Sequence, residues 1–536
     1  MADFSEILLV IGDFGLFQKL LLVALCFPAM MMPFQNYSLI FTHAGFPRHC
    51  NTDWILKVSP NLTREEQLNL TVPRKPDGSL QSCEMFMPVD WDIEDIRQYG
   101  LNQTTSCLHG WQFDTSVFKT TVVSDFELVC DRASFLGIAQ TIGLSGILFG
   151  SLIFGPLAKS LGRKRATQIS LIIMAVFTLT TGFAPTFYGY LMIQFIVGFS
   201  YGGYRVNSLI LATEWIGVTK RSLPSCISQV VNSLAQCIVA GVGYAIRDWR
   251  TVQLILTSPL LLVLFYVWLI PESARWLHDC GETEEAEKLI RKAAAVNKRP
   301  VPDNILGKIN IERRGNRGEI KDLIASPHLR KSLLVISFAW FSLNLSYSCL
   351  TLNVGNFGLD IFLTQLIFGL TEIPGHILCI WLVEIMGRKH SFTVTILIGA
   401  TLCLLIVAVP LDKPHIITAL ATSGRVCTTW AVTICTVYVQ ELFPTSLRQA
   451  AMGLASIAPR VGGLLSPMLN LLGMYYSNIP ILVFGGLTLV SGILSCLLPE
   501  TRGKDLPDHS EEMDRRRDTN DTQINETCDD VKSTKL

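Results

Sequence analysis

One arginine stands where an arginine is expensive. Residues 450–473, AAMGLASIAPRVGGLLSPMLNLLG, are almost wholly apolar and long enough to cross a bilayer, yet Arg460 sits near their centre, between Pro459 and the Gly462-Gly463 pair. Insertion scales put a guanidinium at that depth at roughly 2.5 kcal/mol upward, and such residues face a water-filled path or a partner inside the bundle. Pro459 and Pro467 interrupt the hydrogen-bond ladder, which is tolerated where the backbone lines a cavity or is buried in protein. Two readings of Arg460 follow: it attracts something negative that passes beside it, or it neutralises an acid on a neighbouring helix. The first is carried forward.

A second titratable set lies in TEIPGHIL, where Glu372 precedes His376 by one helical turn on the same face. Histidine changes charge near neutrality, so a cavity containing it would be pH-sensitive. Glu372 could hold His376 protonated or pair with Arg460, and hydrogen-bonded packing is the plainer role for His376. Near the N-terminus, Pro28 and Pro33 precede the polar pair Gln35-Asn36 in an apolar run, which suits a cavity wall. Asn36 is also the first residue of an N-Y-S sequon, one lying too deep to be glycosylated. No G-x-x-x-x-G-K-[ST] and no C-x-x-C occurs, which argues against a built-in ATPase and against zinc. No cofactor, metal or nucleic-acid partner is expected, and no enzyme.

The elements that must position these residues are membrane spans. The chain has 536 residues with only 16% charged, against about 25% in soluble proteins. Twelve apolar runs, near 17–41, 133–158, 167–185, 187–212, 223–246, 250–270, 332–352, 360–384, 390–410, 415–440, 449–473 and 479–498, are each long enough to span. The first is no cleavable signal, since Asp3, Glu6 and Asp13 precede it and its core is too long. The fold expected is an all-α membrane protein of twelve helices.

The spans repeat. Gly162-Arg163-Lys164 returns as Gly387-Arg388-Lys389, 225 residues later. Glu214 with Arg221 returns as Glu441 with Arg448, 227 later, and Pro271-Glu272 returns as Pro499-Glu500, 228 later. Three landmarks at one offset define two parallel six-span halves, 17–270 and 332–498, the architecture of alternating-access carriers with a site between the halves. The acid–arginine sets Arg163, Glu214, Arg221 and Arg388, Glu441, Arg448 read as gates at the ends of the spans.

Basic loops after the even-numbered spans place both termini in the cytoplasm. The polar segment 42–132 then lies outside. It carries sequons at Asn61, Asn69 and Asn102 and four of the fifteen cysteines, Cys50, Cys83, Cys107 and Cys130. An oxidised, glycosylated loop with three possible pairings is expected. Residues 1–16 form a short cytoplasmic segment, 271–331 a linker with helices under the membrane, and 499–536 a disordered tail. Thr534-Lys535-Leu536 at the end fits a PDZ-binding peptide.

The GRK loops, PESARWL at 271–277 and ELFPTSLR at 441–448 resemble the major facilitator superfamily, and within it solute carrier family 22. IGDFGLFQ at 11–18 and VGNFGLDIFLTQLIFG at 354–369 are most similar to its organic anion branch, which contains nicotinate, urate and orotate carriers. The resemblance implies that Arg460 occupies the position where anion carriers keep an arginine, and that His376 stands where they often keep a lysine. It implies that Trp340 and Tyr347 stack on flat substrates, and that Asn232, Ser348, Val432 and Thr436, with Asn36, line the same cavity where relatives often have rings. A smaller or more polar ligand follows. Two positions depart from the family: Lys159 replaces an acid in the first GRK motif, and Gln194 replaces an arginine high in the fourth span. An arginine appears lower in that span instead, Arg205, either as a second cavity cation or as a structural partner near Glu214.

The function expected is secondary active transport of small organic anions such as urate, nicotinate or orotate across the plasma membrane, in exchange for an internal counter-anion, with membrane lipid as surroundings. A carrier of cations or carnitine-like zwitterions using Glu372 is one alternative. A non-transporting receptor or scaffold, suggested by Lys159 and Gln194, is the other.

Overall fold

The computed structural model describes residues 4–501 except 13, 31–33, 35–46, 76–77, 117, 217–221, 300–319, 354–359, 411, 444–446, 474–475 and 477. Asn36, Arg221 and the C-terminal peptide of the tail therefore lie outside the described residues.

Each apolar run carries helix among its described residues. The first half comprises α1 (Leu16–Ala29), α2 (Ser134–Leu161), α3 (Arg163–Thr181), α4 (Phe187–Trp215), α5 (Ser222–Ile246) and α6, in two segments (Trp249–Thr257 and Pro259–Tyr266). The second comprises α7 (Pro327–Leu352), α8 (Ile361–Met386), α9 (Arg388–Ala408), α10 (Pro414–Leu442), α11 (Arg448–Ala455 and Ile457–Leu472) and α12 (Ile479–Ser495). Taken singly among the described residues, four of these regions are long and apolar enough to cross a membrane: Cys130–Leu161, Ile227–Ile246, Pro327–Leu352 and Arg388–Ala408. The others are shortened by breaks or carry polar side chains that the bundle buries, so burial rather than composition makes them tolerable.

The break in α11 falls at Ser456, not at either proline. Pro459 is the third residue of the second segment, where its missing N–H would have had no helical partner anyway. Arg460 follows it in that first turn.

The repeat read from the sequence has a local mechanism. Gly162 ends α2 at φ +97° and Gly387 ends α8 at φ +84°, a conformation that L side chains rarely adopt. Each glycine turns the chain directly into the next helix, whose exposed N–H groups then meet a carboxylate from far along the chain. Glu272 accepts from the Lys164 amide at 2.9 Å, and Glu500 from the amides of Arg388 and Lys389 at 3.0 and 3.1 Å. Negative charge at a helix N-terminus is favourable. Burial pushes the Glu272 carboxyl above its ordinary range, against the pull of the Lys164, Ser273 and Arg163 amides.

The segment after α1 folds as a cap on the opposite face. Cys50–Cys107 and Cys83–Cys130 are its disulfides, one of the three pairings left open by the sequence. They staple two small antiparallel pairs, β1 (Arg48–Cys50) with β4 (Trp111–Phe113) and β2 (Glu84–Phe86) with β3 (Thr104–Ser106). Asn61, Asn69 and Asn102 are all exposed on this cap. Asp125 anchors it to the bundle through Trp249 Nε1 at 3.0 Å and Arg250 Nε at 3.1 Å.

The two halves meet along two seams, α2 with α11 and α5 with α8. On the cap side the second seam is closed by Phe362 packed between Phe118 and Tyr244, with ring centroids 5.2 and 5.8 Å away.

Candidate functional site

The α5–α8 seam is close because Gly369 lets it be. A Cβ there would stand 2.5 Å from Cys237 Sγ and 3.0 Å from the Ser233 carbonyl. One turn further along α8 comes Glu372, only 1% exposed. Its carboxylate meets the fully buried Arg425 of α10, Nε to Oε1, at 2.9 Å. Ser233 of α5 donates to the other oxygen at 3.1 Å, and Thr429 to Oε1 at 3.4 Å. Arg425 Nη2 also donates to Gln236 Oε1 at 3.1 Å and to Tyr347 Oη at 3.0 Å. Its guanidinium lies over the rings of Phe368 and Tyr347, 4.4 and 4.7 Å from their centroids. Gln236 donates in turn to Gln365 on α8. The result is a dry ion pair on the second half, hydrogen-bonded across the seam to the first.

This corrects one expectation. Glu372 was open to pairing with Arg460 or with His376, and its partner is Arg425 instead. The reason is register: α8 and α10 bring Glu372 and Arg425 face to face, while His376, one turn on, meets Thr433 of α10 with Nδ1 and Oγ1 3.4 Å apart. Arg425 was missed, although the signal was there. It interrupts the tenth apolar run as Arg460 interrupts the eleventh, and a buried acid in a neighbouring span demands such a partner.

Arg460 is half-buried and, among the described residues, has no carboxylate within ion-pair distance. The helix that carries it is pressed onto α7: a Cβ on Gly462 would stand 2.5 Å from the Phe341 carbonyl, and Asn344 donates to the Pro459 carbonyl. On α4, Arg205 is exposed and Tyr201, one turn before it, is buried.

The remaining sequence candidates divide. Tyr347 joins the Arg425 cluster. Trp340 is buried within the apolar core of the second half, and Val432 packs against that core. Asn232, Ser348 and Thr436 are half-buried on α5, α7 and α10. At the GRK ends, Arg163 pairs with Glu214 at 3.4 Å and Arg388 with Glu441 at 2.9 Å, each link within its own half. Arg448 lies on α11, its side chain outside the described set. Lys159 is exposed, its carbonyl receiving Trp276 Nε1 at 3.0 Å, and Gln194 is buried.

A twelve-helix bundle in two repeats, with short charged turns on one face and polar groups at mid-depth, is a major facilitator carrier. The E. coli xylose transporter in a partially occluded inward-open conformation shares the fold with a TM-score of 0.62 at 16% identity, over 91% of this chain and 100% of that one. The family described as "Sugar (and other) transporter" matches residues 102–513. Human solute carrier family 22 member 13 is 39% identical over 96% of this chain and 94% of its own length. Human member 14 is 32% identical over 98% and 91%, and Xenopus laevis member 6-B 31% over 95% and 94%. The chain belongs to solute carrier family 22, in the branch its motifs had indicated. It is a multi-pass membrane transporter, not an enzyme.

Proposed function

We propose that the protein moves small organic anions across the plasma membrane by alternating access, in exchange for an internal anion, with urate, nicotinate and orotate as the substrates to try first. The observation that carries this reading is a difference between two interior cations. Arg425 is neutralised by Glu372, whereas Arg460 has no carboxylate in reach among the described residues. A positive charge without a fixed counter-charge at mid-depth favours an anionic cargo. The same contact weighs against the cation or zwitterion reading, because Glu372 is already held by a guanidinium and two hydroxyl donors, Ser233 and Thr429.

In this reading the cytoplasmic termini lie on the GRK face, the cap is extracellular and the halves rock about the site. Arg163–Glu214 and Arg388–Glu441 stiffen the GRK turns of each half and serve as its gates, and the sequence repeat extends that gating role to Arg221 and Arg448. Uptake of labelled urate and nicotinate against carnitine, in cells with surface expression quantified, tests the assignment. Arg460→Ala is expected to abolish anion uptake while the protein still reaches the surface. Unchanged anion uptake in that variant removes the role assigned to Arg460.

A further inference from the structure

We infer that the cap supplies one jaw of the outer gate: Phe118, from the disulfide-linked segment rather than from a membrane helix, clamps Phe362 of α8 against α5, and outward opening must draw Phe362 out of that slot. This rests on the alternating-access reading above and gives it a positioning residue outside the bundle. Phe118 is 6% exposed although Asp114, Thr115, Ser116 and Lys119 around it are all exposed. Its ring centroid stands 5.2 Å from that of Phe362, which is itself 5% exposed, and Tyr244 meets Phe362 edge-on at 5.8 Å. Among the described residues, Phe362 is the one second-half side chain buried in an apolar core otherwise drawn from residues 7–294. The tip of one half is seated in the core of the other.

Both sides of the slot are held. On the first half, the Lys119 amide donates to the Arg247 carbonyl at 2.9 Å, Arg247 Nη1 to the Ser116 carbonyl at 3.3 Å, and Thr120 Oγ1 to the Asp248 carboxylate. Arg247 is left-handed at φ +58°, uncommon for a residue with a side chain, and these contacts fix the turn in that shape. On the second half, Asp360 accepts from the Phe362 and Leu363 amides at 2.9 and 3.0 Å and starts α8 there. The cap therefore moves with the first half and Phe362 with the second. Rocking the halves apart on this face separates Phe362 from both rings, while the GRK links, each within one half, are untouched. Contact made only in the state closed on the cap side favours that state, and removing it shifts the balance outward.

Cys237 of α5 reports the opening. It is half-buried against Gly369, two turns along α8 from Phe362, where a Cβ would stand 2.5 Å from its Sγ. On intact cells expressing the full chain, a membrane-impermeant thiol reagent is applied from outside, and labelling per surface molecule is corrected by the Cys237→Ser chain. Phe118→Ala is expected to label Cys237 about tenfold faster than the unaltered chain, and Phe118→Leu by a smaller factor. Phe362→Ala, which leaves the cap sequence intact, should match Phe118→Ala. An unchanged labelling rate in any of the three that reaches the surface overturns the inference, since a ring that merely stabilised the cap would lower surface expression without exposing Cys237. The readout needs no substrate. Failure of every anion to enter would refute the carrier reading by itself and leave the gate to be judged by labelling alone.

Discussion

The two halves use opposite means at equivalent places. Gly198 of α4 precedes Arg425 of α10 by 227 residues, the same spacing that separates Glu214 from Glu441. Ile147 of α2 precedes Glu372 of α8 by 225, the spacing of the GRK turns. In the second half these positions form the buried ion pair. In the first, α2 and α4 touch backbone to backbone: a Cβ on Gly198 would stand 2.1 Å from the Gly143 carbonyl and 3.2 Å from the Ile147 amide, and one on Gly202 2.3 Å from the Ile147 carbonyl. The duplication is therefore faithful at the membrane faces and abandoned in the middle. A glycine seam has one tight packing, while an ion pair hydrogen-bonded to the opposite half has donors and acceptors that can exchange partners. The polar seam belongs to the half that holds Arg460 and His376.

The sharpest way to break this contrast is to remove one charge of the pair. Arg425→Met or Glu372→Gln alone leaves the other charge buried and unpaired, a loss of about 3–5 kcal/mol. Either single variant is expected to lose most surface expression and most of its melting temperature in detergent. The double variant, with no charge left to bury, is expected to recover folding. If it recovers no more than the singles, the pair is not the unit described here. Transport by a folded double variant would show whether the seam also serves the cycle.

A smaller effect probes the glycine side. Gly198→Ala forces a methyl into the Gly143 carbonyl and is expected to destabilise by about 1–3 kcal/mol through overpacking. Gly155, on the same α2 helix, has nothing within 4 Å of its missing Cβ. Gly155→Ala should be neutral or slightly stabilising, since alanine is the better helix former. Equal melting temperatures for the two variants would mean the α2–α4 seam is not tight.

These contrasts explain what the sequence revealed and what it withheld. Spans, repeat and cap were legible because each rests on a run or a motif: apolar length, GRK and PE spacing, sequons beside cysteines. Disulfide pairing was not, since spacing alone leaves all three possibilities, and strand register does not choose either: β2 and β3 continue to set Cys83 opposite Cys107, yet the bonds are Cys50–Cys107 and Cys83–Cys130. Arg460 stood out as a lone charge among prolines and glycines. Arg425, embedded in the more polar SGRVCTTW, did not, and its pairing with Glu372 depends on the relative rotation of α8 and α10, which periodicity does not specify. The equivalence of Gly198 and Arg425 was hidden because the repeat was traced through its turns, where the residues match, and not through its middle, where they differ.

The smallest effect sharpens the part of the comparison where the halves agree. Glu272 and Glu500 each bring one carboxylate to the first amides of a helix that begins after a left-handed glycine. If the two cages are equivalent, Glu272→Gln and Glu500→Gln should shift stability in the same direction and by similar amounts, about 1 kcal/mol or less each, because the amide keeps an acceptor and removes only a charge whose attraction to the helix end is set against its burial. The two sites lie in different halves, and changes at sites without shared partners add, so the double variant should show the sum in its melting temperature. Glu500 has one extra neighbour, His390 Nδ1 at 3.4 Å, on a ring that is 70% exposed, and solvent screening keeps that contact small. A difference between the two variants that His390→Ala erases would assign the surplus to the histidine. A difference that survives it would place the asymmetry in the cages themselves.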